Sequence, residues 1–169
     1  MGFVQLLLLV SVRNTFGDAY YNFFNPPDST VTAQTLTVLL SSAIFPFSNL
    51  GTPSITDVTI IVALATPLSS ALNSALGALA IDGTFGPTGN AAAEAVSLKA
   101  VSTTARDRSP IPALSGDVSL PTPVAPASFT LTIPQANVPE ALGTLVNGQT
   151  RLNPSQIDDI ALLIEYAID

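Results

Sequence analysis

Cysteine and histidine are both absent from this chain of 169 residues. Their absence removes disulfides, Cys nucleophiles, zinc sites of the Cys/His type and any Ser-His dyad. The fold must stand on its core alone, and no redox compartment can be read. Charge is scarce too: 10% of residues are charged, against ~25% in an ordinary globular domain. The basic residues are Arg13, Lys99, Arg106, Arg108 and Arg151, and their one cluster, Arg106-Asp107-Arg108, carries an Asp inside it. Phosphate contacts need clustered Lys and Arg, so nucleic acid is not expected as a partner, and anionic lipid is disfavoured. What replaces charge is Ser, Thr, Asn and Gly. Such a surface insulates poorly against association, although a net charge of -7 favours solubility.

The length fits a single domain, residues 1–169, large enough to bury a sizeable core. Its most informative feature is a repeat. Ile55-Thr56-Asp57-Val58-Thr59-Ile60-Ile61-Val62 returns near the C-terminus as Ile157-Asp158-Asp159-Ile160-Ala161-Leu162-Leu163-Ile164. Each copy follows a strand-like run, Leu36-Thr37-Val38-Leu39 and Phe129-Thr130-Leu131-Thr132-Ile133 respectively. Ile60-Ile61-Val62 suits a central strand packed on both faces. In the second copy Ile160, Leu162, Ile164 and Tyr166 share one face.

Further strands are expected over Thr30–Ala43, Glu94–Thr104, Gly116–Leu120 and Ser128–Ile133, from alternation and β-branched content. The apolar run inside Met1–Val12 invites a signal-peptide reading. No Lys or Arg precedes it and no small-residue cleavage site follows promptly, so a buried first strand is preferred. It is also too short for a membrane span. Leu68–Ala80 changes to helical spacing behind Pro67, predicting one short helix. Asp82–Asn90, with three Gly and a Pro, reads as a hairpin or end loop; it lacks the Lys of a phosphate loop and the oxygen ligands of a calcium loop. The prolines at 110, 112, 121, 123 and 126 suit edge segments better than a proline-rich ligand. Pro139–Gly143 has the look of one helical turn. The resulting expectation is an all-β, two-layer antiparallel β-sandwich, jelly-roll-like, with one short helix.

Asn14–Ser29 gathers Phe16, Tyr20, Tyr21, Phe23 and Phe24 ahead of Pro26-Pro27. This segment reads as a loop, with room for a helical turn, whose rings plug one end of the sandwich. The sharper alternative is a ligand platform, which makes Tyr20, Tyr21, Phe23 and Phe24 the candidate contact residues. No catalytic, cofactor or metal site is expected. Asp158 and Asp159 are strand neighbours that point to opposite faces, so they cannot share one substrate. Asp57 and Asp159 hold equivalent repeat positions and would neighbour one another in a pseudo-symmetric sandwich. As an acid pair they suit glycoside hydrolysis; as strand-entry residues they accept backbone N–H groups from the preceding turn. The second reading is preferred, and no enzyme is expected.

The series Tyr20-Tyr21-x-Phe23-Phe24-Asn25-Pro26, Gln34-Thr35-Leu36-Thr37-Val38-x-Leu40, Phe45-Pro46-Phe47 and Ile55-x-Asp57-Val58 resembles the C-terminal region of A-component subunits of bacterial insecticidal toxin complexes. Phe129–Pro134 and the closing Ile157-Asp158-Asp159-Ile160-x-Leu162-x-Ile164-x-Tyr166 resemble that family's final strand pair. The resemblance implies a β-sandwich near the C-terminus of a large pentameric translocation subunit, where the cocoon-forming component docks. The present chain lacks the long pore-forming helices, so channel and shell roles do not carry over. Docking or assembly does. The expectation is a non-enzymatic module with a protein partner or self-association, in a secreted or extracellular assembled particle. A carbohydrate-binding sandwich and a capsid or filament subunit are the alternatives.

Overall fold

The computed structural model describes residues 5–28, 30–65, 79–89, 93–101 and 112–168. The chain begins with β1 (Leu6–Ser11) and two short helices, α1 (Val12–Thr15) and α2 (Gly17–Phe24). Next come β2 (Ala33–Leu39), β3 (Pro53–Leu64), β4 (Ala80–Pro87), β5 (Glu94–Ala100), β6 (Ala113–Val124) and β7 (Ser128–Pro134). A small hairpin, β8 (Gly143–Val146) and β9 (Gln149–Leu152), precedes β10 (Ile157–Ile168). Every ladder among the described residues is antiparallel. Eight strands form one continuous sheet in the order β1-β10-β3-β6-β5-β4-β7-β2, and β8-β9 stands apart as a two-stranded sheet.

The mainly β, antiparallel character follows from alternation. Gln34, Leu36 and Val38 in β2, Phe129, Leu131 and Ile133 in β7, and Ile160, Leu162, Ile164 and Tyr166 in β10 are buried, with more exposed neighbours between them. Register carries this face from Val10 through Leu162 to Ile60, from Leu98 to Ile81, and from Phe85 through Leu131 to Leu36, all of them buried. A flat sheet leaves such a face wet. This one curls into a half-barrel around it. Two glycines sit where backbones come closest. A Cβ on Gly83 would lie 2.6 Å from the Thr132 carbonyl oxygen, and one on Gly116 would lie 2.7 Å from that of Ser97.

Gly83 explains the first correction. Asp82–Asn90 is not an end loop over most of its length, because β4 runs through it, paired with β5 and β7. Glycine there serves close backbone approach rather than a turn. β1 is a strand as expected, but it forms an edge of the sheet and is not buried. Leu7 and Leu9 are 67% and 64% exposed, and only Val10 is fully in the core. β3 is central, yet Ile61 is only half-buried, so one of its faces packs rather than both. The Pro121-Thr122-Pro123 stretch belongs to an interior strand. It is looped out where the β3–β6 register jumps from Asp57–Ser119 to Ile55–Val124. The helix expected over Leu68–Ala80 falls on residues outside the described ones, except Leu79 and Ala80, of which Ala80 opens β4. The two observed helices occupy the segment read as an aromatic loop. Pro139–Gly143 does hold a helical turn, a 3-10 turn at Glu140–Leu142.

The repeat acquires a physical meaning. β3 and β10 are neighbours, and Ile60 pairs with its repeat equivalent Leu162. Val58 pairs with Ile164 and Val62 with Ile160, so the two copies lie about a local two-fold axis through the sheet. Each copy buries its first Ile and then a residue three positions on, which a regular strand cannot do. The extra residue is a β-bulge in both: the register slips at Thr56 in β3 and at Asp158 in β10.

Candidate functional site

The two-fold relation separates the repeat aspartates. Asp159 pairs with Ala63, six residues along β3 from Asp57, so the two carboxylates lie about 20 Å apart at the usual strand rise. They are not neighbours and make no acid pair. Asp159 instead takes a hydrogen bond from the Ser11 hydroxyl at 2.6 Å and another from the Arg13 N–H at 3.1 Å. Those donors belong to the β1–α1 junction, not to the turn preceding β10. The bulge turns Asp158 outward, where its carbonyl oxygen accepts from Arg13 Nη1 at 2.9 Å and from the Tyr20 hydroxyl at 3.3 Å. The Arg13–Asp158 ion pair at 3.2 Å is mostly exposed and contributes little. Asp57 faces Glu165 directly across the ladder on the sheet's outer surface.

The four aromatic candidates have four different fates. Ser11 caps α1 by accepting the Asn14 N–H. The chain then turns into α2, whose inner side carries Phe23 and Phe24 into the core. Phe24 meets Tyr20 and Phe23 edge-on, with ring centroids 5.1 and 5.0 Å apart. Tyr20 is half-buried, and burial pushes its phenol above the usual tyrosine value. Tyr21 alone presents its ring to solvent, at 64% exposure. Most of the cluster therefore plugs one end of the half-barrel. The opposite junction has its own plug: Phe45 packs edge-on against Tyr166 at 4.9 Å, and the Tyr166 hydroxyl donates to the Pro46 carbonyl at 3.0 Å.

A second locus was not singled out in the sequence. Asn147 and Gly148, at φ 52° and 78°, form the two-residue turn joining β8 to β9. Asn-Gly between short alternating runs is the strongest local hairpin signal, and it was available to read. This hairpin is held to the large sheet by the buried Gln34 carboxamide. Its nitrogen donates to the Phe23 carbonyl at 3.2 Å, and its oxygen accepts the Leu152 N–H at 2.6 Å. One side chain thus ties α2, β2 and β9 together. Between the end of α2 and the hairpin lies a cavity of about 390 Å³, lined by Phe24, Asn25, Thr144, Asn147, Arg151 and Asn153 among others. Arg151 is buried, 3% exposed, and its Nε and Nη1 have no hydrogen-bond partner.

Among the described residues no group of three or more His, Cys, Asp or Glu could hold a metal ion, and no helix is long and apolar enough to cross a membrane. Compared with protein-family models, curated proteins and solved structures, the chain matches none of them.

Proposed function

We propose that this chain is a non-catalytic assembly module that self-associates through its β1 edge. Docking in an assembled particle is also the role implied by the resemblance to toxin-complex A subunits. The observation that carries the reading is the character of β1. Among the described residues it pairs only with β10, leaving its other backbone edge open. Leu6-Leu7-Leu8-Leu9-Val10-Ser11 has no Lys, Pro or inward charge, the devices by which exposed edges are ordinarily blocked. Its outward Leu7 and Leu9 adjoin Glu165 and Leu163 of β10. Beyond them on β3 lie Asp57, opposite Glu165, and Thr59, opposite Leu163, so the apolar surface is confined to Leu7, Leu9 and Leu163. A second copy, approaching antiparallel about a two-fold axis, supplies a matching edge and sets Leu7 and Leu9 beside their equivalents. β1 itself carries no formal charge, although Glu165 and Asp57 stand behind Leu7, so screening of the two acidic chains aids their approach.

The strand order supports a finer architecture. With the β8–β9 hairpin set aside, β1-β10-β3-β6 and β5-β4-β7-β2 are the two four-stranded halves of a jelly roll, an architecture used by capsid and lectin domains. The halves meet, among the described residues, at Lys99–Ser115 and Ala100–Leu114, with the Val101 N–H donating to the Ala113 carbonyl beside them, a narrow seam about which a sheet folds into two layers. A structural subunit is thus a form of the same reading. The exposed Tyr21 ring, near Asn22 and Asn25, is what favours the carbohydrate alternative.

Light scattering over a concentration series tests the choice. The expected result is a mass that rises with concentration, with Leu9→Lys monomeric at the same concentrations and its unfolding midpoint unchanged. A wild-type protein that stays monomeric, and binds a glycan in a manner lost in Tyr21→Ala, overturns assembly.

A further inference from the structure

The cavity beside the β8–β9 hairpin raises a question independent of self-association: what faces the Arg151 guanidinium? An arginine cannot discharge by losing its proton at any ordinary pH, so burial leaves it cationic. Buried ions are stable when paired and hydrogen-bonded, and costly otherwise. Arg151 is nearly sealed from solvent, yet its Nε and Nη1 reach no acceptor. Among the described residues no carboxylate forms an ion pair with it, since the one ion pair there joins Arg13 to Asp158.

Asp28 lies close enough to feel its charge, but is engaged elsewhere. The Asp28 carboxylate accepts the Thr30 hydroxyl at 2.7 Å and the Thr30 N–H at 2.8 Å. Those two bonds, with a lesser contribution from Arg151, hold Asp28 below the usual carboxylate range.

We propose that this cavity is an oxyanion site, in which Arg151 holds the carboxylate or phosphate of a small hydroxylated molecule such as an acidic sugar. Three observations carry it. The guanidinium is a pre-set fork with two unused donors, matched to a planar or tetrahedral oxyanion. The cavity, about 390 Å³, is of ligand size. Along the same cavity, Asn25, Asn147 and Asn153 bring carboxamides and Thr144 a hydroxyl, groups that both donate to and accept from alcohols, while Phe24 supplies an apolar wall. The donors are also well anchored. Arg151 pairs with Thr144 within the hairpin ladder, and its neighbour Leu152 is pinned by Gln34. A protein of net charge -7 repels anions at long range, so a ligand of this class is selected by the cavity and not gathered by the surface.

The test is a titration of isotope-labelled protein at low ionic strength with glucuronate, inorganic phosphate and uncharged glucose. It follows the Arg151 Nε–H resonance, assigned through its own backbone. The expected result is a saturable shift with glucuronate at least tenfold tighter than any with glucose, and its loss in Arg151→Gln. A parallel shift with phosphate assigns recognition to the oxyanion alone. Response to glucuronate without phosphate assigns it to the hydroxylated acid. If Arg151→Gln does not fold, Asn147→Asp keeps the proposal falsifiable: a carboxylate placed at the cavity wall must weaken glucuronate at least threefold. An Nε–H resonance unmoved by both anions, or moved equally by glucose, overturns the proposal and leaves internal water as the occupant.

Discussion

At the scale of single residues, burial decides what a polar group is worth. Gln34 shows this most sharply, because its carboxamide is 2% exposed and both of its ends are used. Gln34→Leu keeps the volume and strands the Phe23 carbonyl and the Leu152 N–H. Each orphaned buried group costs about 1–3 kcal/mol, so a loss of roughly 2–4 kcal/mol is expected in urea unfolding. A loss below about 0.5 kcal/mol would mean that water reaches the junction. The tyrosines set a pH limit. Burial raises the phenols of Tyr20 and Tyr166 above the ordinary value of 10.0, so the folded state holds these protons more tightly than the unfolded chain does. Their contribution is complete below pH 10 and is lost as pH rises through the folded values. Stability measured from pH 9 to 12 should therefore fall in the wild type and fall less steeply in Tyr166→Phe. Parallel curves would assign the alkaline loss to other groups.

Elements obey the same chemistry through geometry. The Ile-x-Asp-(Val/Ile) spacing is incompatible with a two-residue period, and the chain resolves the conflict by a bulge in each copy. In β10 the bulge brings the Asp158 carbonyl and the Asp159 carboxylate to the start of the helical segment. No bulge was expected over either copy, and which partner Asp158 and Asp159 would meet depended on β1 and α1, far away in the chain. β4 was hidden for a related reason. Its glycines look like turn residues in isolation, and only the approach of β7 to Gly83 shows why glycine is needed in a strand. Gly83→Ala pushes a Cβ into a backbone oxygen that cannot move without breaking the β4–β7 ladder. The expected cost is about 1–3 kcal/mol, read as a lower thermal midpoint with hydrogen exchange accelerating first in β4 and β7. An unchanged midpoint would show that the curl tolerates a wider strand separation there.

For the whole molecule, low charge and net acidity act in opposite directions. The uncharged β1 edge favours association, whereas the net charge of -7 opposes it at long range. Between 0.01 and 0.15 M salt the screening length falls from about 30 to 8 Å. Self-association should tighten over that range, as followed by sedimentation. The anion site should respond in the reverse sense, because salt anions compete for Arg151. Association that weakens with salt would mean that ion pairs hold the interface, in conflict with an apolar edge contact.

The division between chain and fold is a physical one. Alternation, β-branching and the repeat are local, and by themselves they determined an antiparallel β protein with the inward face of β10 and the aromatic plug. None of these depends on what lies across the sheet. Exposure of Leu7 and Leu9, the edge position of β1, the separation of Asp57 from Asp159 and the burial of Arg151 do depend on it. An apolar strand reads the same at an edge as in a core, and an arginine reads the same on a surface as beneath one. Only the tertiary structure decided these, because exposure is a property of neighbours brought together from distant parts of the chain.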